Sequence, residues 1–144
     1  MKIGILGCGH IASKIAETIN MMDKNYELYA VASRDIMKAL DFKKKFNSEK
    51  AYGSYLDLVK DDEVELVYIA TVNSAHYEDM RLCLEHNKNV ICEKPFALNY
   101  SEALEVINLA KQKNLYISEA LWTSYMPFNQ KLLDILKNEK IKSF

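Results

Sequence analysis

The stretch Lys2 to Ala12, KIGILGCGHIA, constrains the fold of this chain more than any other. A short apolar run feeds Gly7-Cys8-Gly9, and beyond it Ile11, Ile15 and Ile19, with Ala12 and Ala16 beside them, recur at helical spacing. A strand that turns tightly into a helix in this way leaves room for a pyrophosphate at the helix N-terminus. Gly7 is suited to the tight turn, Gly9 lacks the Cβ that would block a phosphate oxygen, and Ala12 lets helix and strand pack closely. Gly7, Gly9, His10 and Ile11 are therefore the first candidate cofactor-binding residues, with Cys8 and His10 expected to act through backbone. Two glycines and an alanine also occur in turns that bind nothing, so a plain structural turn is the competing reading.

Further apolar runs lie at Ile3–Leu6, Leu28–Ala32, Val64–Ala70, Val90–Cys92 and Leu115–Ile117, with a weaker one at Ala51–Tyr52. Amphipathic stretches separate most of them: Asp35–Phe46, Ser74–Glu85, and a helix capped by Asn99 or Ser101 whose apolar face is Ala103, Val106, Ile107 and Ala110. This alternation predicts an α/β fold, a Rossmann-type doubly wound and mainly parallel sheet covered by helices. Residues 1–125 are expected to form it. Residues 126–144 contribute the helix-like Phe128–Leu136 and then Ile141–Phe144, which alternates like the opening strand of a further domain.

Composition narrows the function classes. Nineteen basic against twenty acidic side chains leave a net charge of -1, which offers no electrostatic bias toward nucleic acid or a membrane surface. The chain has no run of membrane-spanning length and no signal-peptide pattern at its start. Cys8, Cys83 and Cys92 are odd in number and far apart, which suits neither a disulfide framework nor a metal site, and points to a reducing cytoplasm.

The chemistry-bearing residues cluster at the expected carboxyl ends of strands, where open α/β sheets bind ligands. After the second strand comes Ser33-Arg34-Asp35, with Lys38 a turn further on. Ser33, Arg34 and Lys38 would bind a ribose 2′-phosphate, favouring NADP, whereas Asp35 turned inward would suit the diol of NAD. Ser33 as a helix cap and Arg34 in solvent is the bland alternative. After the fourth strand, Thr71, Asn73 and His76 are candidate cofactor contacts. After the fifth, Pro95 ends the ladder and aims Lys94 over the sheet edge beside Glu93, and the Lys94–Pro95 bond is a candidate for the cis form. After the sixth, Trp122, the single tryptophan, stands near Tyr125 and could wall a nicotinamide pocket.

Taken together, Gly7-Cys8-Gly9-His10-Ile11-Ala12, Ser33-Arg34-Asp35, Ala70 to His76 and Glu93-Lys94-Pro95, in this order, resemble the glucose-fructose oxidoreductase, inositol dehydrogenase and rhizopine catabolism (Gfo/Idh/MocA) family. Glu119 to Pro127 is similar to its dihydrodiol dehydrogenase-like branch, whose members use NADP. The resemblance implies hydride transfer between a nicotinamide and the carbinol or carbonyl of a sugar, polyol or diol. Lys94 would orient the substrate oxygen and assist proton transfer, and Glu93 would fix the cofactor. It also implies a C-terminal substrate domain, absent from this chain, that carries a further acid/base group and mediates homo-oligomerisation. Alone, the chain would bind cofactor with negligible turnover. Val72 stands where the family often has proline, and Ser124 where the branch often has arginine. The alternative from another class is a non-catalytic NAD(P)-sensing module.

Overall fold

The computed structural model describes residues 1–138. A single sheet runs through it in the strand order β3-β2-β1-β4-β5-β6, every neighbouring pair parallel. The strands are β1 (Lys2–Leu6), β2 (Glu27–Ala32), β3 (Lys50–Tyr52), β4 (Leu66–Ile69), β5 (Asn89–Cys92) and β6 (Ile117–Glu119). Between them lie α1 (His10–Met21), α2 (Ile36–Phe46), α3 (Tyr55–Val59), α4 (His76–Glu85) and α5 (Tyr100–Gln112), and α6 (Pro127–Asn138) follows β6. The expected doubly wound architecture is thus present, and its strand order reverses between β1 and β4.

Parallel strands need crossovers, and the apolar faces of those crossovers form two cores. On one face Leu58 and Val59 of α3, Met80, Cys83 and Leu84 of α4, and Val106 and Ala110 of α5 close over Leu6, Ala30, Val67, Ile69 and Val90. On the other, Ala12, Ala16 and Ile19 of α1 and Phe42 and Phe46 of α2 cover Ile3, Ile5, Leu28 and Val31. Ala12 and Ala16 are completely buried, which is the close helix–strand approach their small side chains permit. On this second face α1 and α2 sit over β1 and β2, and an open groove runs past Ile15, Tyr68 and Ile91.

Local chemistry fixes the helix ends. Asp35 accepts from the backbone N–H groups of Met37 and Lys38, Ser54 from Asp57, and Asn99 from Glu102, each satisfying a donor that the first helical turn leaves without a partner. Asn47, Asn87 and Asn114 take left-handed conformations just past α2, α4 and α5, where asparagine is the best-tolerated residue after glycine.

Three sequence expectations shift. The sixth strand begins at Ile117 rather than Leu115, because the Leu115 N–H closes the end of α5 onto the Ala110 carbonyl at 2.9 Å. A short helix, α3, occupies Tyr55–Val59, where the sequence predicted no element. The third amphipathic stretch opens as a 3-10 turn at Asn73–Ala75 before α4 begins at His76. The strand expected at Ile141–Phe144 falls outside the described residues. None of the helices among the described residues is long and apolar enough to cross a membrane.

Candidate functional site

The glycine turn lies where the strand order reverses. Gly7 has φ +97°, a conformation L side chains rarely adopt, and a Cβ there would stand 2.7 Å from the Ala70 carbonyl oxygen. This glycine is required by the backbone itself, since β1 and the end of β4 approach too closely for any side chain. Gly9 differs. Its φ of -86° suits any residue, and nothing lies within 4 Å of where its Cβ would be. Gly9 is the N-cap of α1 and supplies no side-chain cap, so the N–H groups of the first turn, from His10 and Ile11 onward, are left for a ligand. A group seated at this helix N-terminus would meet no Cβ at Gly9.

Two clefts flank this turn. The first, of about 720 Å³, is lined by Cys8, Gly9, Ser33, Arg34, Asp35, Lys38, Tyr55 and Thr71, with Asp79 at its margin. Ser33 is buried, its Oγ accepts the Asp35 N–H at 3.2 Å, and its hydroxyl faces the Cys8 sulfur, so the residue shapes the turn. The Asp35 carboxylate is engaged with its own helix, through Met37 N at 3.0 Å and Lys38 N at 3.4 Å. It is the residue that caps α2, a role the sequence had offered to Ser33. Arg34 and Lys38 are exposed and bring two cations to the same cleft.

Tyr55, carried in by α3, and Asp79, on α4, are cleft residues that sequence reasoning missed. Burial pushes the Tyr55 hydroxyl above the usual phenol value, the Asp79 carboxylate adds to this, and the Arg34 guanidinium opposes it. Asp79 is also raised by burial, against the hydrogen bond it accepts from Thr71 Oγ1 at 2.6 Å and the charge of Arg34. Burial lifts the Cys8 thiol to about 11, so the sulfur stays protonated near neutral pH and is no nucleophile. Cys83 and Cys92 are buried in the core, as expected.

The second cleft, of about 570 Å³, opens on the other side of α1 and is lined by Ile11, Lys14, Tyr68, Glu93, Lys94, Glu119, Trp122 and Tyr125, among others. The Lys94–Pro95 bond is cis, and Lys94 lies exposed beside the half-buried Glu93. Tyr68 donates from its hydroxyl to Glu93 Oε1 at 2.6 Å, and the Lys94 N–H reaches Glu93 Oε2 at 3.3 Å. Burial, followed by this bond to Glu93, drives the Tyr68 hydroxyl far above its usual range, so it remains a donor. Glu93 is thereby held from both oxygens. Trp122 is largely exposed on the rim.

His76 requires a correction. The sequence offered it as a cofactor contact, yet its ring is completely buried, Nδ1 against the Pro95 carbonyl at 2.8 Å and Nε2 near the Thr71 carbonyl at 3.3 Å. Its polar atoms face backbone oxygens and it lines neither cleft. Asn73 and His10 are exposed at the sheet's carboxyl edge but stand outside both linings. Among the described residues there is no cluster of histidine, cysteine or carboxylate side chains able to hold a metal.

Residues 1–121 match the sequence model of the Gfo/Idh/MocA oxidoreductase family, described as an NAD-binding Rossmann fold. The trans-1,2-dihydrobenzene-1,2-diol dehydrogenase of Bos taurus is 37% identical over 137 residues, covering 94% of this chain and 41% of that enzyme. Among solved structures, an NAD binding oxidoreductase from Klebsiella pneumoniae superposes with a TM-score of 0.89 at 28% identity, covering 96% of this chain and 39% of that one. The 3-ketoreductase KijD10 of Actinomadura kijaniata, in complex with NADP and TDP-benzene, gives 0.89 at 25% identity, covering 96% and 42%. The chain spans less than half the length of the curated relatives it matches.

Proposed function

Because the chain belongs to the Gfo/Idh/MocA family of oxidoreductases with an NAD-binding Rossmann fold, we propose that it binds NADP(H) as the cofactor-binding part of an enzyme oxidising or reducing a sugar, polyol or diol at a carbinol or carbonyl carbon. The carrying observation is that Ser33, Arg34 and Lys38 share one cleft with Gly9 and Thr71, and that Asp35, which also lines it, caps α2 through Oδ1. A 2′-phosphate in that cleft gains two cations, with the Ser33 hydroxyl beside them turned from Cys8 to donate, and the first turn of α1 takes the pyrophosphate. An NAD ribose would need a carboxylate for its diol, and Asp35 offers it Oδ2 alone while Oδ1 caps α2, a cap worth about 1 kcal/mol. Structures superposable on this one hold NADP in one case and NAD(H) in another, so the preference rests on the cleft residues.

The second cleft fits the nicotinamide end. Glu93, oriented by Tyr68, would hold the cofactor, Trp122 would wall the pocket, and Lys94 would bind the substrate oxygen and carry its proton. When bound, the nicotinamide supplies the hydride acceptor or donor that no side chain can provide. Diol-type substrates fit the trans-1,2-dihydrobenzene-1,2-diol dehydrogenase relatives. Substrate positioning, a second acid/base group and oligomer contacts fall to residues beyond those shared with these relatives, so this chain alone should show negligible turnover. Its three free thiols fit a reducing compartment such as the cytoplasm.

Calorimetric titration with NADPH and, separately, NADH tests the reading. Tight NADPH binding with much weaker NADH binding supports it; the reverse preference returns the ribose contact to Asp35, and binding of neither removes the cofactor assignment.

A further inference from the structure

Four residues, Glu93 to Phe96, carry Lys94 across the end of β5, and this turn is fastened from three neighbouring elements. From β4, the Ile69 carbonyl accepts the Glu93 N–H at 3.0 Å. From α4, the buried His76 ring donates through Nδ1 to the Pro95 carbonyl at 2.8 Å. From β6, the Glu119 carboxylate accepts the Phe96 N–H through Oε1 at 2.8 Å. The Ala120 N–H reaches back to the Cys92 carbonyl at 2.7 Å, which ties the end of β6 to the strand that launches the turn.

We propose that Glu119 is a positioning residue, which together with His76 clamps the Pro95–Phe96 peptide from its two edges, carbonyl and N–H, and so sets where the Lys94 ammonium stands, instead of binding cofactor or substrate itself. Glu119 lines the second cleft, and a carboxylate there invites a direct role. Its Oε1, however, is committed to a backbone donor, and β6 is anchored to β5 at that residue by the Cys92↔Glu119 pairing. Without this acceptor the Phe96 N–H loses its partner, and beyond Pro95 the turn is held by His76 alone while the Ile69 carbonyl still holds its start. Lys94 has no rigid support of its own, being an exposed four-carbon side chain, so its placement depends on the backbone that carries it. A displacement of about 1 Å at such a group is enough to cost a large factor in rate.

The inference rests on the reading of Lys94 as the substrate-facing amine, and its test separates the two. The readouts, taken on this chain, are amide exchange at Phe96 and the NMR resonance of 13C-dimethylated Lys94 with and without NADP+. Glu119→Ala should speed Phe96 exchange by about tenfold, the loss of a charge-assisted hydrogen bond, and should broaden or split the Lys94 resonance. Glu119→Gln keeps an acceptor oxygen without the charge and should restore both to near the original values. Equal thermal melts and unchanged exchange in α1 and α2 would confine the effect to the turn. An unchanged Phe96 and Lys94 in Glu119→Ala overturns the proposal, as does Glu119→Gln failing like Glu119→Ala, which would assign the role to the charge. If the original chain shows no response to NADP+, the cofactor reading fails, and the cofactor-free exchange comparison still decides the clamp.

Discussion

Gly7 and Gly9 stand two residues apart in one turn, yet substituting them should separate stability from binding. In Gly7→Ala the new Cβ meets the Ala70 carbonyl oxygen at 2.7 Å, and the φ of +97° is itself unfavourable for alanine. The conformational part costs about 1–2 kcal/mol. The contact is with backbone, at the seam where Ala70 N–H bonds the Leu6 carbonyl at 2.9 Å, so it cannot be relieved by turning a side chain. Together these should cost about 3 kcal/mol or more, in the range of a strained backbone position. In Gly9→Ala the Cβ enters open space at an ordinary φ of -86°. A small gain from stiffening the unfolded chain is set against a slightly poorer N-cap, leaving stability within about 1 kcal/mol. The same Cβ stands in the proposed pyrophosphate position, and losing charge-assisted bonds worth about 1.5–3 kcal/mol weakens NADPH by roughly 10- to 100-fold. Urea unfolding and calorimetric titration measure the two effects on the same samples. A Gly9→Ala variant that binds NADPH within about twofold of the original would refute the assignment of that space, and a Gly7→Ala variant as stable as the original would refute the steric argument.

Other outcomes follow from the same geometry. Arg34→Ala should weaken NADPH by about tenfold or more and leave NADH nearly unchanged, because only the former presents a 2′-phosphate; equal losses for both cofactors would place Arg34 elsewhere. The Asp79 carboxyl is raised above 3.8 by burial, so the folded chain holds that proton more tightly than the unfolded one, and its contribution to stability falls as pH rises from about that value through the folded one. Asp79→Asn, which can still accept from Thr71, should be progressively more stable than the original across that rise, and denaturation midpoints that stay parallel at all pH values would disprove it. Tyr68→Phe removes the donor to Glu93 Oε1 and should cost about 1–3 kcal/mol in stability; a loss below about 0.5 kcal/mol in urea unfolding would show that water replaces the hydroxyl.

The fold was legible because each long element carries its own periodicity. Strands buried on both faces appear as continuous apolar runs, and Asn99 and the Gly7 turn mark boundaries by chemistry that acts locally. Leu115 misled for a physical reason: an apolar residue just past a helix end packs back on the helix as readily as it opens a strand, and the left-handed Asn114 selects the first outcome. The α3 helix, at five residues, is too short for a 3.6-residue period to be recognised, so Tyr55 entered the cleft unannounced. His76 shows the deeper limit. Position in the chain brought it to the correct edge of the sheet, but which way a ring at the start of α4 turns is decided by the Thr71 and Pro95 carbonyls that surround it, one of them 19 residues away.

The central position of β1 bears on how the molecule assembles in time. The first strand made is flanked in the finished sheet by β2 and β4, and its second partner lies some 60 residues further along, as in the pairing Ile3↔Leu66. Closing a loop of that length costs entropy before any pairing repays it, so the β1–β4 seam should form late. Gly7 and Ala70 meet only once that seam has closed, whereas the Gly7 N–H bond to the Ala32 carbonyl needs β2 alone. A β-α-β-α-β half ending at Tyr52 can fold early, but it holds only one wall of the crevice, and NADPH affinity should therefore emerge in refolding together with the last tertiary contacts instead of with the first helices.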